Sequence, residues 1–332
     1  MSVIWKGYFI MFKKLFLPVG MLVMLAVSLL WPASGTWMKP YHANDLFIVL
    51  IFLVCGWQTN VGEMRFDRKF AFLFVAGAVV TLGVAPWIAK GVGMMLALPA
   101  LPIVGLVVIS AMPPTLSSGI VMTENAEGNT FLSMMMTIGY NLLGVFVLPL
   151  VLPLLLAGSR DIDTHPLRML VQLFVLVVVP FFIGFLGKKL SGKKLPGLLG
   201  YIPSLCVLLL LLSFFSSSYK SLKTFPVNVL LLSAAGCVVT HLLLLAIMWF
   251  GGRLCRYPVR DCKALIFTGA SKTLTLGLTT LAIMKADNGE AVVPCLIFYF
   301  LQMLIDSSLA GKMGIAARKA AEKAEAAEGQ KG

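Results

Sequence analysis

The chain has 332 residues, of which 59% are hydrophobic and 12% are charged. A soluble globular domain carries about twice that charged fraction, so the composition excludes a soluble protein and indicates an integral membrane protein. The net charge of +13 does not indicate a nucleic-acid partner, because the basic residues lie in short clusters between long apolar runs. The six cysteines form no C-x-x-C pair and indicate neither a disulfide framework nor a zinc site.

The first half of the chain predicts five membrane spans. The apolar run 15–31 follows three lysines and is expected to be a retained helix, because it is long for a signal peptide. Further spans are predicted at residues 46–57, 70–89, 95–123 and 131–157. In the fifth span Ser133, Thr137 and Asn141 recur every four residues, which places them on one helix face. That polar face is expected to contact protein or a cavity.

The second half repeats this arrangement, with spans predicted at residues 166–186, 201–215, 227–249, 264–284 and 292–309. Residues 158–165 contain no apolar run and are the expected linker between a first repeat, 1–157, and a second repeat, 166–311. Residues 312–332 form a predicted cytoplasmic tail. Because an odd number of spans reverses the second unit, two five-helix units predict an inverted repeat. The expected fold is an all-α membrane protein with ten transmembrane helices.

The fourth span of each half is expected to be broken. The sequences Thr115-Leu-Ser-Ser-Gly119 and Thr273-Leu-Thr-Leu-Gly277 share a Thr-Leu-hydroxyl-x-Gly pattern, and Pro113-Pro114 precede the first. Proline removes amide donors and glycine tolerates unusual backbone angles. Paired interruptions at equivalent places indicate the binding site of a secondary transporter. The alternative is two ordinary kinked helices that match by chance.

Lys272 lies in the middle of the second broken span. A lysine near mid-membrane costs about 2.5 to 3.5 kcal/mol, so the fold must offset its charge. Two roles are open for Lys272: handling a substrate or a proton, or a structural pairing with a buried acid such as Asp306. For His241 we favour interhelical hydrogen bonding over a proton relay.

The loop charges predict the orientation. With both termini in the cytoplasm, most of the 27 lysines and arginines lie inside, as the positive-inside rule requires. We therefore expect a multi-pass protein of the plasma (inner) membrane. Membrane lipid is an expected partner, because lysines of the tail can contact anionic lipid.

Part of the first half resembles the bile acid:sodium symporter family. The resemblance rests on Val121-Met-Thr123, Gly128-Asn129, Ser133 and Thr137, and the ten-helix plan matches over about residues 10–312. It implies a panel of four helices and a core of six, in which broken helices 4 and 9 cross. It also implies sodium sites beside the crossing and an organic anion in the crevice between the two domains.

The resemblance also implies individual ligands. By position, Ser133 and Thr137 are similar to sodium ligands of the fifth helix, and Thr81 falls where the third helix contributes one. Ser117 and Ser118 lie near the remaining ligands of the first half.

The second half departs from the sodium-coupled members. Thr268 and Lys272 stand where those members carry a glutamate and a glutamine, so the acidic ligand is missing. The segment Ser271-Lys-Thr-Leu274 resembles a divergent, symporter-like branch. A protonated lysine supplies a fixed cation and three donors, so Lys272 can take the electrostatic role of the ion. We expect sodium or a proton as the coupling ion, no sodium dependence of the usual kind, and no organic cofactor.

The expected function is secondary active transport of a small organic anion, either bile-acid-like or another carboxylate or sulfate, by alternating access. The alternatives are a proton-coupled carrier or exchanger of another solute, and a non-transporting regulatory protein. An enzyme is not expected, because no H-E-x-x-H motif, catalytic carboxylate pair or Ser-His-Asp arrangement is visible. The candidate binding residues are polar side chains of the third, fourth, fifth and ninth spans: Thr81, Thr115, Ser117, Ser118, Ser133, Thr137, Thr268, Ser271, Lys272 and Thr273.

Overall fold

The computed structural model describes residues 19–20, 22–38, 43–59, 68–116, 118–157, 162, 165–192, 199–286 and 289–329. The N-terminal lysines, most of the expected linker and Ser117 lie outside these residues. Within them every regular element is a helix, so the all-α prediction is confirmed.

The first half contains eight helical segments. They are α1 (22–30), α2 (Ala33–Thr36), α3 (Ala43–Gln58), α4 (Arg68–Ala78), α5 (Ala85–Met95), α6 (Ala100–Ala111), α7 (Ser118–Asn125) and α8 (Thr130–Leu156). A π-helical segment, Val79–Val84, joins α4 to α5 without a break.

The described residues of the second half form eight more α-helices and a short 3-10 helix, Leu199–Tyr201. The α-helices are α9 (Pro166–Leu173), α10 (Val179–Ser191), α11 (Ile202–Ser217), α12 (Tyr219–Thr224), α13 (Val227–Leu254), α14 (Val259–Gly269), α15 (Leu274–Ile283) and α16 (Gly289–Gly329). A second π-helical segment, Phe174–Val178, joins α9 to α10.

Seven helices among the described residues are long and apolar enough to cross a membrane. Two shorter apolar helices, α3 and α6, accompany them. Most helices extend past the apolar runs that predicted them; the third span, for example, covers Arg68–Met95. Helices continue through flanking polar residues because each added residue contributes one backbone hydrogen bond. The chain is a multi-pass membrane protein.

The helices pack in two groups. The smaller group joins α2, α3 and α9 to α11, in which α3 packs against α10 and α11. Gly56 and Gly184 allow this close approach, because a Cβ at either position would collide with a backbone carbonyl oxygen of the other helix. The larger group joins α4 to α8 and α13 to α16, in which α6 packs against α5 and α16 and α13 packs against α14 and α16.

Four tight turns in the larger group occur as two matching pairs. Ala97 and Arg256 have φ values of 51° and 60°, and Glu127 and Lys285 have φ values of 58° and 55°. At each turn the following residue donates its N–H to the carbonyl five residues back, with N···O distances of 2.8 to 3.1 Å, which is a Schellman helix ending. The two members of each pair are separated by the same number of residues to within one.

Two apolar grooves lie between the helix groups. The first has a volume of about 300 Å³ and lies between α10, α4 and α8. The second has a volume of about 330 Å³ and lies between α1, α11, α13 and α16. Phenylalanine dominates the first groove, with Phe70, Phe74, Phe181, Phe182 and Phe185, whereas leucine is more frequent in the second.

The last helix continues well beyond the apolar run predicted for the final span. α16 runs for 41 residues and passes Lys312, where a separate tail was expected to begin, without interruption. Beside Lys312, Gly314 lies against the carbonyl oxygen of Asn125 at the end of α7. The tail is therefore a direct continuation of the final span.

Candidate functional site

Two helices of the larger group are interrupted inside the protein. In the first, α6 ends at Ala111 and α7 begins at Ser118. Pro113 and Pro114 explain this break, because neither has an N–H with which to continue the helix. In the second, α14 ends at Gly269 and α15 begins at Leu274, without any proline.

The two breaks are in direct contact. The N–H of Thr273 donates to the carbonyl oxygen of Pro113 at 3.0 Å. The hydroxyl of Thr115 lies 3.3 Å from that of Ser271 and also bonds the hydroxyl of Ser118. Thus four predicted site residues meet where the two interrupted helices face each other.

Four helix ends meet at this contact. α7 and α15 begin beside it, and α6 and α14 end beside it. A helix N-terminus carries partial positive charge and a C-terminus partial negative charge. Half-helix ends of this kind bind anions and cations in secondary transporters.

Lys272 lies in the second break and is fully buried. Its ammonium nitrogen donates to the carbonyl oxygen of Thr81 at 2.7 Å. Gln302 on α16 holds the backbone of the same residue, because its side chain accepts from the Lys272 N–H at 2.9 Å and donates to the Lys272 carbonyl at 2.7 Å. Gln302 thereby replaces hydrogen bonds that an unbroken helix would supply.

The Thr81 carbonyl is available because of Pro86. In the π-helical segment the N–H of Ala85 bonds the carbonyl of Val80, five residues back. The next residue in this register, Pro86, has no N–H to donate to Thr81. The Thr81 carbonyl therefore accepts from Lys272, while the Thr81 hydroxyl donates to the Gly269 carbonyl at 3.1 Å.

The structure does not pair Lys272 with Asp306. Asp306 instead bonds His241 at 2.9 Å, and among the described residues no carboxylate lies within ion-pair distance of Lys272. The bond to Thr81 holds the Lys272 ammonium beside the π-helical segment. The suggested structural pairing is therefore wrong.

A second polar cluster lies beside α8. The hydroxyls of Ser133 and Thr268 are 2.8 Å apart, which links α8 to α14. Thr123 adds a hydroxyl 3.2 Å from that of Ser133. All three side chains are fully buried.

The next turn of α8 carries unpaired oxygens. The hydroxyl of Thr137 and the side-chain carbonyl of Asn141 are buried and have no hydrogen-bond partner among the described residues. The Asn141 amide nitrogen does have partners, because it donates to the carbonyl of Pro114 in the first break at 2.9 Å. A buried oxygen without a partner is costly, so these two atoms suit a polar or charged ligand.

The structure thus distributes the predicted residues over adjoining clusters. Thr115, Ser118, Ser271 and Thr273 lie at the contact between the breaks, Thr81 lies with Lys272, and Ser133 lies with Thr268. Sequence reasoning did not assign Thr123, Asn141 or Gln302 to the site. Two of them carried a signal, because Thr123 belongs to the Val121-Met-Thr123 motif and Asn141 follows Ser133 and Thr137 at the same spacing. Nothing local marked Gln302.

The comparisons with known proteins agree with a transporter. The family model described as the SBF-like CPA transporter family matches residues 14–314. Sodium/bile acid cotransporter 7 of Danio rerio is 24% identical over 315 residues, covering 90% of this chain and 93% of its own. The protein of the same name from Xenopus tropicalis is 27% identical, covering 90% and 91%.

A plant protein is similar over a comparable length. "Probable sodium/metabolite cotransporter BASS4, chloroplastic" of Oryza sativa subsp. indica is 25% identical over 312 residues, covering 88% of this chain and 74% of its own. The expected resemblance is confirmed, and an enzyme is excluded in favour of a transporter. The match over residues 14–314 places this chain in the SBF-like CPA transporter family.

Proposed function

We propose that the protein is a secondary transporter that carries a small organic anion by alternating access, with Lys272 as the anion-binding cation. The observation that carries this proposal is the set of contacts that Lys272 makes. An ammonium has three N–H donors, and Lys272 uses one of them on the Thr81 carbonyl. Its other donors have no acceptor among the described residues, so a carboxylate or sulfate can bind them.

The paired turns support an inverted repeat. Thr115 and Thr273 are separated by the same distance along the sequence, to within one residue, as the two turn pairs. The same separation along the sequence, to within one residue, relates the first residue of α3 to that of α11, of α4 to that of α13, and of α8 to that of α16. We therefore assign residues 1–157 and 166–311 to two inverted units that meet at the breaks.

The two apolar grooves support alternating access. Each groove lies between the smaller and the larger helix group. The repeat relates the helices that line the first groove to the helices that line the second groove. Two units of opposite orientation place equivalent grooves toward opposite sides of the membrane. Rocking of one helix group against the other would open these grooves in turn.

The coupling ion is proposed to be a proton. The relatives are named sodium cotransporters, but here the hydroxyls of Ser133 and Thr268 bond each other. The resemblance implies that Thr268 stands where sodium-coupled members carry an acidic ligand. Lys272 adds a positive charge to the same buried region, which disfavours a second cation in a poorly screened site. Uptake should therefore persist when potassium replaces sodium at fixed pH and membrane potential. Steep sodium dependence would contradict this assignment.

The experiment that tests the function is uptake into proteoliposomes of labelled taurocholate, of small carboxylates and of sulfate. Lys272→Met should lower the affinity for the transported anion by about 10- to 100-fold, because a charged hydrogen bond contributes about 1.5 to 3 kcal/mol. Lys263→Met is the matched control, because Lys263 is also buried and donates to a carbonyl, that of Ala126 at 2.6 Å. Equal loss in both variants, or no transport by the wild-type protein, would contradict the proposal.

The location is part of the same proposal. We assign the chain to the plasma (inner) membrane with both termini in the cytoplasm, on the basis of the loop charges.

A further inference from the structure

His241 and Asp306 form a buried pair outside the site described above. Nε2 of His241 on α13 lies 2.9 Å from Oδ1 of Asp306 on α16, and the side chains are 2% and 6% exposed. The ring of Phe298 packs edge-on against the imidazole, with 5.7 Å between ring centroids. An imidazole is the side chain whose ordinary charge change falls near neutral pH, so this pair is suited to binding a proton.

The pair has an open position for that proton. With Nε2–H donating to the carboxylate, Nδ1 of His241 carries a lone pair, and Nδ1 has no partner among the described residues. A proton can add to Nδ1 while the bond from Nε2 to Asp306 stays in place. A metal ion is a poorer occupant, because no group of three or more His, Cys, Asp or Glu side chains occurs in the described part of the chain.

Other charged side chains on the packed helices are engaged elsewhere or exposed. Among the described residues, Asp306 is the charged group bonded to His241. Lys272 donates to Thr81, Lys90 on α5 donates to Leu155, and Lys263 on α14 donates to Ala126. The remaining charges on α7, α12, α13, α14 and α16 are exposed, only partly buried or on side chains outside the described set: Glu124, Lys220, Lys223, Arg253, Arg260, Asp261, Glu290, Lys312, Arg318, Lys319, Glu322, Lys323, Glu325 and Glu328.

The pair is joined to Lys272 through α16. Asp306 follows Gln302 by four residues, so both lie on one face of that helix. Gln302 holds the Lys272 backbone through two hydrogen bonds. We call Lys272, Gln302, Asp306 and His241 together the buried unit. When His241 is neutral, the charges of Lys272 and Asp306 cancel within the buried unit. A proton on His241 gives the unit one net positive charge.

We propose that His241 and Asp306 bind the coupling proton, and that the bound proton supplies the net charge to which the organic anion is attracted at Lys272. This inference rests on the proposed function. Proton and monoanion then cross together, and the unit returns to zero net charge when Nδ1 releases the proton.

The proton site can be tested without any substrate. The chain has three histidines, so ¹⁵N-histidine labelling of the purified protein gives few side-chain signals, and His241→Gln identifies that of His241. We expect this signal to change from the neutral to the protonated form when the protein is acidified. Asp306→Asn should alter that response, because the Asp306 carboxylate is the partner of Nε2. An unchanged His241 signal on acidification, or no effect of Asp306→Asn, would overturn the proton site.

The coupling is tested by taurocholate accumulation in sodium-free proteoliposomes. An inward gradient of one pH unit should support about tenfold accumulation of a monoanion. His241→Gln should equilibrate taurocholate without accumulating it, whereas His165→Gln should accumulate it as the wild type does. Accumulation by His241→Gln equal to wild type would overturn the coupling. If the wild type moves no taurocholate, the proposed substrate class fails for this probe and the histidine titration still decides the proton site.

Discussion

Lys272 has no carboxylate beside it among the residues that the structure describes. One backbone carbonyl, that of Thr81, accepts from its ammonium, and Gln302 fixes its backbone. A buried charge with a single hydrogen bond is poorly compensated, so the site retains a strong attraction for an anion. By the same argument, the proposed site should disfavour a cation such as sodium.

Ser133 and Thr137 allow binding and stability to be separated. Ser133 bonds Thr268, whereas the Thr137 hydroxyl has no partner among the described residues. Thr137→Val should therefore leave the thermal midpoint unchanged or raise it, yet impair uptake. Ser133→Ala should cost about 1 kcal/mol of stability and also impair uptake. Thermal unfolding and uptake by both variants, and by the double alanine variant, provide the measurement.

The outcome that would contradict this assignment is normal uptake by the double variant at normal expression. A loss of uptake that merely follows a loss of folded protein would indicate structural roles for both residues.

Sequence reasoning identified Lys272 but not its partner. A lone lysine in an apolar run is conspicuous because of its cost in a membrane. Its acceptor is a backbone carbonyl freed by the π-helical register before Pro86, and that register is set by packing rather than by residue type. Residue type alone therefore favoured the acid Asp306, which in the structure bonds His241 instead.

At the scale of elements, the two breaks have different origins. Pro113 and Pro114 make the first break visible in the sequence. The second depends on Thr273 bonding Pro113 and on Gln302 bonding Lys272, which are contacts between distant parts of the chain. Only the repeated Thr-Leu pattern indicated that second break in advance.

Pro86 should matter more for transport than for folding. Pro86→Ala introduces an N–H that can donate to the Thr81 carbonyl, so that carbonyl would be shared between the helix and Lys272. We expect equal or higher thermal stability, because proline inside a helix is unfavourable, together with weaker anion uptake. Unfolding and uptake measurements on the purified variant test both effects.

Pro180→Ala is the matched control for this change. Pro180 likewise follows a π-helical segment, Phe174–Val178, in which Val179 bonds Phe174. Lys272 does not bond that segment, so uptake should be unaffected. If both proline variants behave alike, the Thr81 carbonyl has no special role.

At the scale of the molecule, the all-helical membrane architecture followed directly from composition and apolar runs. The assignment of helices to two packed groups did not, because apolar helices in a bilayer show little difference between lipid-facing and protein-facing sides. Close contacts such as those at Gly56 and Gly184 depend on which helices meet, which local sequence does not specify.

The orientation of the whole molecule can be tested with its own cysteines. Cys255 is exposed at the turn before α14, Cys55 is partly buried, and the other four are buried. The proposed orientation puts this turn in the cytoplasm, because arginines surround it. A membrane-impermeant maleimide should label inside-out vesicles but not intact cells, and Cys255→Ser should remove the labelling. Reaction of Cys255 in intact cells would reverse the proposed topology.

The continuous helix α16 gives the protein a long lever arm. Its 41 residues extend for about 60 Å, roughly twice the hydrocarbon thickness of a bilayer. A tilt of about 10° in the final span would move the tip of an extension of about 30 Å by about 5 Å. A fluorophore at Glu322, which is exposed, would therefore magnify small rotations of the larger helix group into a distance change that energy transfer can follow in single molecules.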